Sequence, residues 1–243
     1  MLQNDDMKEI AASGTLWGAD GLAAVIGDVV GSREVEDRRR TQDELADALE
    51  GVNGRVPARS SLRPTIGDEF QGLYDSLGDA LHITLLLRLL LKGRVEVRFG
   101  VGWGHVEFFE GTTQDGPGWW GAREAIELVR EAQDSRGEPR GLRTMFVARF
   151  AERSELEEKE GLLPDLEGVI NAALVTRDEL VSAMDERDAR IALGLMEGKT
   201  NAAIAEEEQV STSAISQRAL GAGIYAVLRA DRLLRSAFEG APA

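Results

Sequence analysis

The 243-residue sequence contains no cysteine and only two histidines, His82 and His105. The first absence excludes disulfides, thiolate zinc sites and a thiol nucleophile. The second excludes a histidine-rich metal centre. Any bound metal would be held by carboxylates, which favours magnesium, manganese or calcium. Long apolar runs are also missing: the longest, Thr84 to Leu91, is interrupted by Arg88 and is far too short to cross a bilayer. The stretch from Met1 to Ile10 is acidic and polar, unlike a secretory signal. The expected address is the cytoplasm, with no membrane partner.

Positive charge is scarce as well. The chain has 28 Lys and Arg against 43 Asp and Glu, a net charge of −15. That balance by itself argues against nucleic acid, but the deficit is uneven. Between Glu186 and Ser236, seven basic residues meet seven acidic ones. A neutral module can bind DNA if its basic residues share a face, although long-range attraction is weak. The hydrophobic share of 43% and charged share of 29% are those of an ordinary soluble protein.

The pattern along the chain predicts a mixed α+β architecture. Residues 1–19 read as a loose leader. Leu22 to Asp28 is a buried strand that ends in a carboxylate. Glu34 to Glu50, polar, charged and free of proline and glycine, reads as a helix. Leu62–Ile66 and Phe70–Tyr74 read as strands joined by a tight turn at Gly67-Asp68-Glu69. Ser76 to Lys92 is an apolar helix stopped by Gly93. Val95 to Phe109 alternates as a strand should, with Val95, Val97, Phe99 and Val101 on one face. A loop from Gly111 to Gly118, a helix from Trp119 to Gln133 and a strand from Thr144 to Phe150 complete a domain over residues 20–150. Residues 151–164 read as an acidic linker, and 165–243 as all helix. A helix-turn-helix is expected over about 186–222.

Two acidic loci carry the chemistry of the first domain. One is Ile26-Gly-Asp-Val-Val-Gly-Ser-Arg33, the other Thr65-Ile-Gly-Asp-Glu-Phe-Gln-Gly72. If the hairpin lies beside the first strand, Asp28 and Asp68 converge. Adjacent carboxylates repel, and a divalent cation removes that repulsion. Amides just before a helix suit phosphate. The bland alternative is that Asp28 and Asp68 cap turns and helix starts. For Arg123 the bland alternative is an ion pair with Glu127, four residues on.

These residues are where the chain resembles the SatD family, with an IGDxVGSR-like stretch followed by a GDEFQG stretch. Arg98 to Gly104 resembles the family's next strand, and Asp115 to Glu124 its following loop and helix. The pattern also looks distantly like class III nucleotide cyclases and GGDEF domains. That resemblance implies a ferredoxin-like, cyclase/GGDEF-type palm. It implies metal (Mg²⁺ or Mn²⁺) at Asp28, Asp68 and Glu69. It also implies a purine nucleotide, GTP ahead of ATP, touching Asp28, Val29, Val30, Gly31, Ser32, Arg33, Gly67, Asp68 and Arg123. Departures point away from turnover. Trp119 stands where class III cyclases place an asparagine, Pro64 stands near the place of a base-reading lysine, and Ile66 replaces the first glycine of the GGDEF pattern. No catalytic residue is assigned, because groups that stabilise a transition state are worth several kcal/mol each.

The segment Asn201 to Arg218 looks like the helix-turn-helix stretch of many bacterial regulators. Ile204, Ala205, Val210 and Ile215 are its packing positions, and Ser211 is a natural N-cap. Thr200, Ser211, Thr212, Ser213, Ser216, Gln217 and Arg218 are the candidate DNA contacts. Two positions depart from the pattern: Glu208 replaces an apolar residue, and Gln209 replaces the turn glycine. The competing reading is a helical bundle used for dimerisation. The function expected from these pieces is a nucleotide-responsive, DNA-binding transcription regulator, most simply a homodimer. The rival expectation is an active metal-dependent nucleotidyl cyclase or nucleotidyltransferase.

Overall fold

The computed structural model describes residues 21–31, 38–109, 113–149 and 163–238. The leader and most of the acidic linker lie outside them. The chain is a mixed α+β protein. It begins with β1 (Leu22–Val29), α1 (Arg38–Asn53), β2 (Ser60–Pro64), β3 (Glu69–Tyr74), α2 (Leu77–Leu90) and β4 (Val97–Gly104). A short pair follows, β5 (Glu107–Phe108) with β6 (Gln114–Asp115), then α3 (Pro117–Asp134) and β7 (Thr144–Ala148). Five more helices follow: α4 (Leu163–Ala183), α5 (Glu186–Met196), α6 (Asn201–Glu207), α7 (Thr212–Gly221) and α8 (Ile224–Ala237). The β5–β6 pair lies where the sequence pattern gave the end of one strand and a loop.

The main sheet has the order β2-β3-β1-β4-β7. All its pairings are antiparallel except β4 with β7. Alternation along β1 sends Ala23, Val25 and Val29 into one core and Ala24 and Ile26 into another. The first core is closed by α1, through Leu45, Ala48, Leu49 and Val52, and by α2. The second is closed by α3, through Trp119, Ala122 and Ile126.

Glycine explains how closely α3 lies on the sheet. β4 alternates Phe99, Val101 and Trp103 toward the first core with Gly100, Gly102 and Gly104 toward α3. A methyl group at Gly100 would collide with the Ala122 carbonyl, and one at Gly102 with the Gly118 carbonyl and the Ala122 amide. The glycines are therefore a floor on which the helix backbone rests.

The edge strand β7 is covered by α4. Asn171 presents its amide like a neighbouring strand, accepting from the Phe146 amide (2.8 Å) and donating to the Phe146 carbonyl (2.9 Å). Glu167 accepts from the Ala148 amide at 2.9 Å. Side chains thus satisfy an edge that would otherwise be open to another strand.

α2 belongs to two cores at once. Leu81, Leu86 and Leu87 pack toward the sheet, while Leu85 and Leu89 pack against Val181, Met184, Ile191, Ile224 and Leu228 of the C-terminal helices. A helix apolar all round is one that is covered on both sides. Three polar ties add to this seam. Ser76 donates to the Phe238 carbonyl (2.8 Å), Arg235 to Asp79 (2.9 Å), and His82 Nδ1 lies 2.7 Å from Asp231. The apolar residues Ile224 and Leu228 of α8 are buried within the chain. Among the described residues, no helix is long and apolar enough to cross a membrane.

Candidate functional site

Strand register places Glu69, Asp28 and Arg98 in one cross-strand row at the end of the three central strands. Side chains in such a row leave the sheet on the same face. That face is the one α3 covers, and α3 brings Arg123, Glu127 and Arg130 over the row at helical spacing. Asp28 is 3% exposed. Its Oδ1 accepts from Arg98 Nε at 2.6 Å, and its Oδ2 accepts from Arg98 Nη2 at 3.2 Å and from Arg130 Nε at 3.1 Å and Nη2. Both Glu69 oxygens accept from Arg123, at 2.6 and 2.7 Å. Glu127 is bound by Arg130, and Gln133 accepts from Arg98 at 2.7 Å. The hydrogen bond to Glu69 raises the Arg123 pKa above its ordinary value. Burial is the largest single influence on Arg130 and works against its charge, but the bond to Asp28 together with the attraction of Asp28 and Glu127 outweighs it, and that pKa is raised too.

On the other side of the sheet, α1 and the β2–β3 hairpin enclose an open cavity of ≈ 570 Å³. Its apolar lining is Val29, Leu45, Ala46 and Pro64, of which Val29 and Leu45 are buried. Its rim is polar, formed by Arg38, Thr41, Gln42, Asp43, Asp68 and Glu69, with Gly67 in the hairpin turn. Gly67 has φ 79°, a left-handed conformation that glycine adopts without strain. Volumes of this order hold small-molecule ligands.

The residues singled out in the sequence are therefore divided between two places. Asp28, Arg123 and Glu69 join the ion-pair network under α3. Val29, Gly67, Asp68 and Glu69 line the cavity. Glu69 is common to both. The residue facing Asp28 across the strands is Glu69, and Asp68 stands one position earlier, exposed at the cavity rim. The Val30 amide donates to the Glu96 carbonyl at 2.9 Å. Gly31 is exposed with φ 68°. Ser32 and Arg33 lie outside the described residues. Arg123 pairs with Glu69, while Glu127 pairs with Arg130.

Sequence reasoning missed Arg98 and Arg130, the partners of Asp28. It also missed Arg38, Thr41 and Gln42 of the cavity. The helical signal was present for the latter: residues 38, 41, 42, 45 and 46 form one face, polar at its start and apolar where it enters the core.

In the C-terminal part, α6 and α7 are joined by the short turn 208–211. Each helix starts on a hydroxyl cap. Thr200 accepts from the Ala203 amide and Ser211 from the Ala214 amide, both at 3.2 Å. Ile204, Ala205, Ile215 and Ala219 share one core. Gln209 has φ 56°, the only left-handed non-glycine residue among those described. Glu208 is turned inward, accepting from Arg187 (3.0 Å) and Arg190 (2.6 and 2.9 Å). Of the expected DNA contacts, Thr200, Ser211, Thr212, Ser213 and Gln217 are exposed. Ser216 is half-buried and accepts from Asn201 at 2.9 Å. Arg218 is half-buried and donates to Asp188 at 2.6 Å and to Asp185.

The carboxylates expected to hold a divalent cation do not fit one as they are arranged. Both oxygens of Asp28 and both of Glu69 are taken by guanidinium groups. Among the described residues, no group of three or more His, Cys, Asp or Glu is placed to hold a metal. No curated protein matches the chain. A family model does: it covers residues 22–236, from the start of β1 to near the end of α8, so the chain belongs to the SatD family.

Proposed function

We propose that this protein is a nucleotide-responsive, DNA-binding transcription regulator whose sensor does not turn its ligand over. The observation that carries the sensor half is the cavity between α1 and the hairpin. It combines apolar lining from Val29, Leu45, Ala46 and Pro64 with hydrogen-bonding groups in Thr41, Gln42 and Asp68. Arg38 supplies positive charge among the lining residues. A purine nucleotide suits that mixture of surfaces, and the resemblance to GGDEF domains puts GTP before ATP. The order β-α-β-β-α-β with both helices on one face supports the palm-like reading of this part.

The effector half is α6 and α7. The capped starts, the inward packing of Ile204 and Ile215, and the exposed Thr212, Ser213 and Gln217 suit a helix offered to a DNA groove. Gln217 is the better candidate for a base contact, since Arg218 is held by two aspartates. A homodimer would present two such helices to paired half-sites. The active-cyclase reading is the weaker one, because Asp28 would have to be released from two arginines before it could hold catalytic metal.

A nucleotide-panel thermal shift tests the sensor. A purine nucleotide is expected to raise the melting temperature of the wild-type chain, and Gln42→Ala to reduce that rise. No shift with any nucleotide would remove the sensor half. Incubation with GTP or ATP and Mn²⁺ followed by product analysis separates regulator from cyclase. Loss of genomic-fragment retardation on Gln217→Ala, at fixed salt, tests the effector half.

A further inference from the structure

The charges around Asp28 cancel without any added ion. The sheet supplies Glu69, Asp28 and Arg98, and α3 supplies Arg123, Glu127 and Arg130. A carboxylate offers about four lone-pair sites on its two oxygens. Asp28 receives four N–H donors from two arginines, one on Oδ1 and three on Oδ2, so both oxygens face guanidinium groups. Two fixed guanidinium charges in contact with the same carboxylate would also repel a dication.

We propose that Arg98 and Arg130 stand in the place of a divalent cation at Asp28, and that the site gains a cation only when Arg130 is removed. Asp28 and Glu69 face each other across adjacent strands, where like charges destabilise a sheet. Something must neutralise them. A metal does this by bridging, whereas arginine does it with a charge that is never lost at accessible pH. Arg98 is the inner partner, with 18% of its side chain exposed. Arg130 is the outer one, with 30% exposed and its guanidinium shared with Glu127. Removing the outer partner takes away two of the three donors on Oδ2, while Arg98 keeps Oδ1 and its longer contact with Oδ2. The inference concerns the cation alone and does not depend on the nucleotide reading.

The test uses Mn²⁺ without nucleotide on the full chain, with bound metal followed by the electron paramagnetic resonance of the free ion. Wild type and Asp28→Asn should give the same isotherm. Arg130→Gln should bind an additional Mn²⁺ ion, and Arg130→Gln/Asp28→Asn should lose it. If Arg130→Gln does not fold, Arg130→Lys should show the gain more weakly, since lysine keeps the charge but not the paired donors. Mn²⁺ binding by wild type that Asp28→Asn abolishes overturns the proposal. So does a folded Arg130 variant that binds no more Mn²⁺ than wild type.

Discussion

Glu208 and Gln209 stand side by side in the turn between α6 and α7, and each breaks the local pattern for a different reason. Glu208 occupies a position that favours an apolar side chain, yet only 11% of its side chain is exposed. The hydrogen bond from Arg190 is the main reason its pKa lies below the ordinary carboxylate value, against the opposing effect of burial. Asp185 is lowered by the Asp188 backbone amide first and by Arg218 as well. A depressed pKa in the folded state means stabilisation that is present above the unfolded value and lost as pH falls through the folded one. The melting temperature should therefore fall steeply below about pH 4. Glu208→Gln should lower it at neutral pH and make the acid loss shallower. Gln209 pays a backbone cost for its φ of 56°. Gln209→Gly should raise stability by about 0.5–1 kcal/mol, read from urea midpoints at unchanged slope.

Elements were legible in the sequence where the hydrophobic period was strong. β1, α2 and the β2–β3 hairpin follow from a short apolar run, an apolar helical run and the Gly67 turn. The end of β4 was not legible, because alternation continues past Gly104 toward Phe109. The strand ends where its partners end: Gly104 pairs with Leu22 at the start of β1, and Trp103 with Ala148 at the end of β7. Gly102→Ala should push α3 outward, at a cost of about 1–3 kcal/mol or more. α3 carries Arg123 and Arg130, so the same variant should loosen the network at Asp28. Altered near-ultraviolet circular dichroism from Trp119 would report it. An unchanged melting temperature and spectrum would mean that α3 does not rest on the glycine floor.

Across the whole molecule, the two ends of the described chain share α2. Leu85 and Leu89 belong to the core of the terminal helices, and their neighbours Leu86 and Leu87 to the core against the sheet. Such sharing couples the stability of the two parts. Calorimetry should show one cooperative transition, and Leu89→Ala should lower it as a whole, by about 2–5 kcal/mol. Two separated transitions, only one of them shifted, would show that the parts unfold independently. Along the same seam α1 packs on α2, α2 on α8, and α8 on α7.

The sequence by itself determined the succession of strands and helices, the acidic strand end, the acidic hairpin and the capped helix pair, because periodicity, turn glycines and caps are local properties. Only the tertiary structure decided what the acids do. Register set Asp28 opposite Glu69 and beside Arg98, and α3 delivered Arg130 from 102 residues away in sequence. Whether a carboxylate is free or paired depends on which distant charge the fold lowers onto it, and no local pattern encodes that.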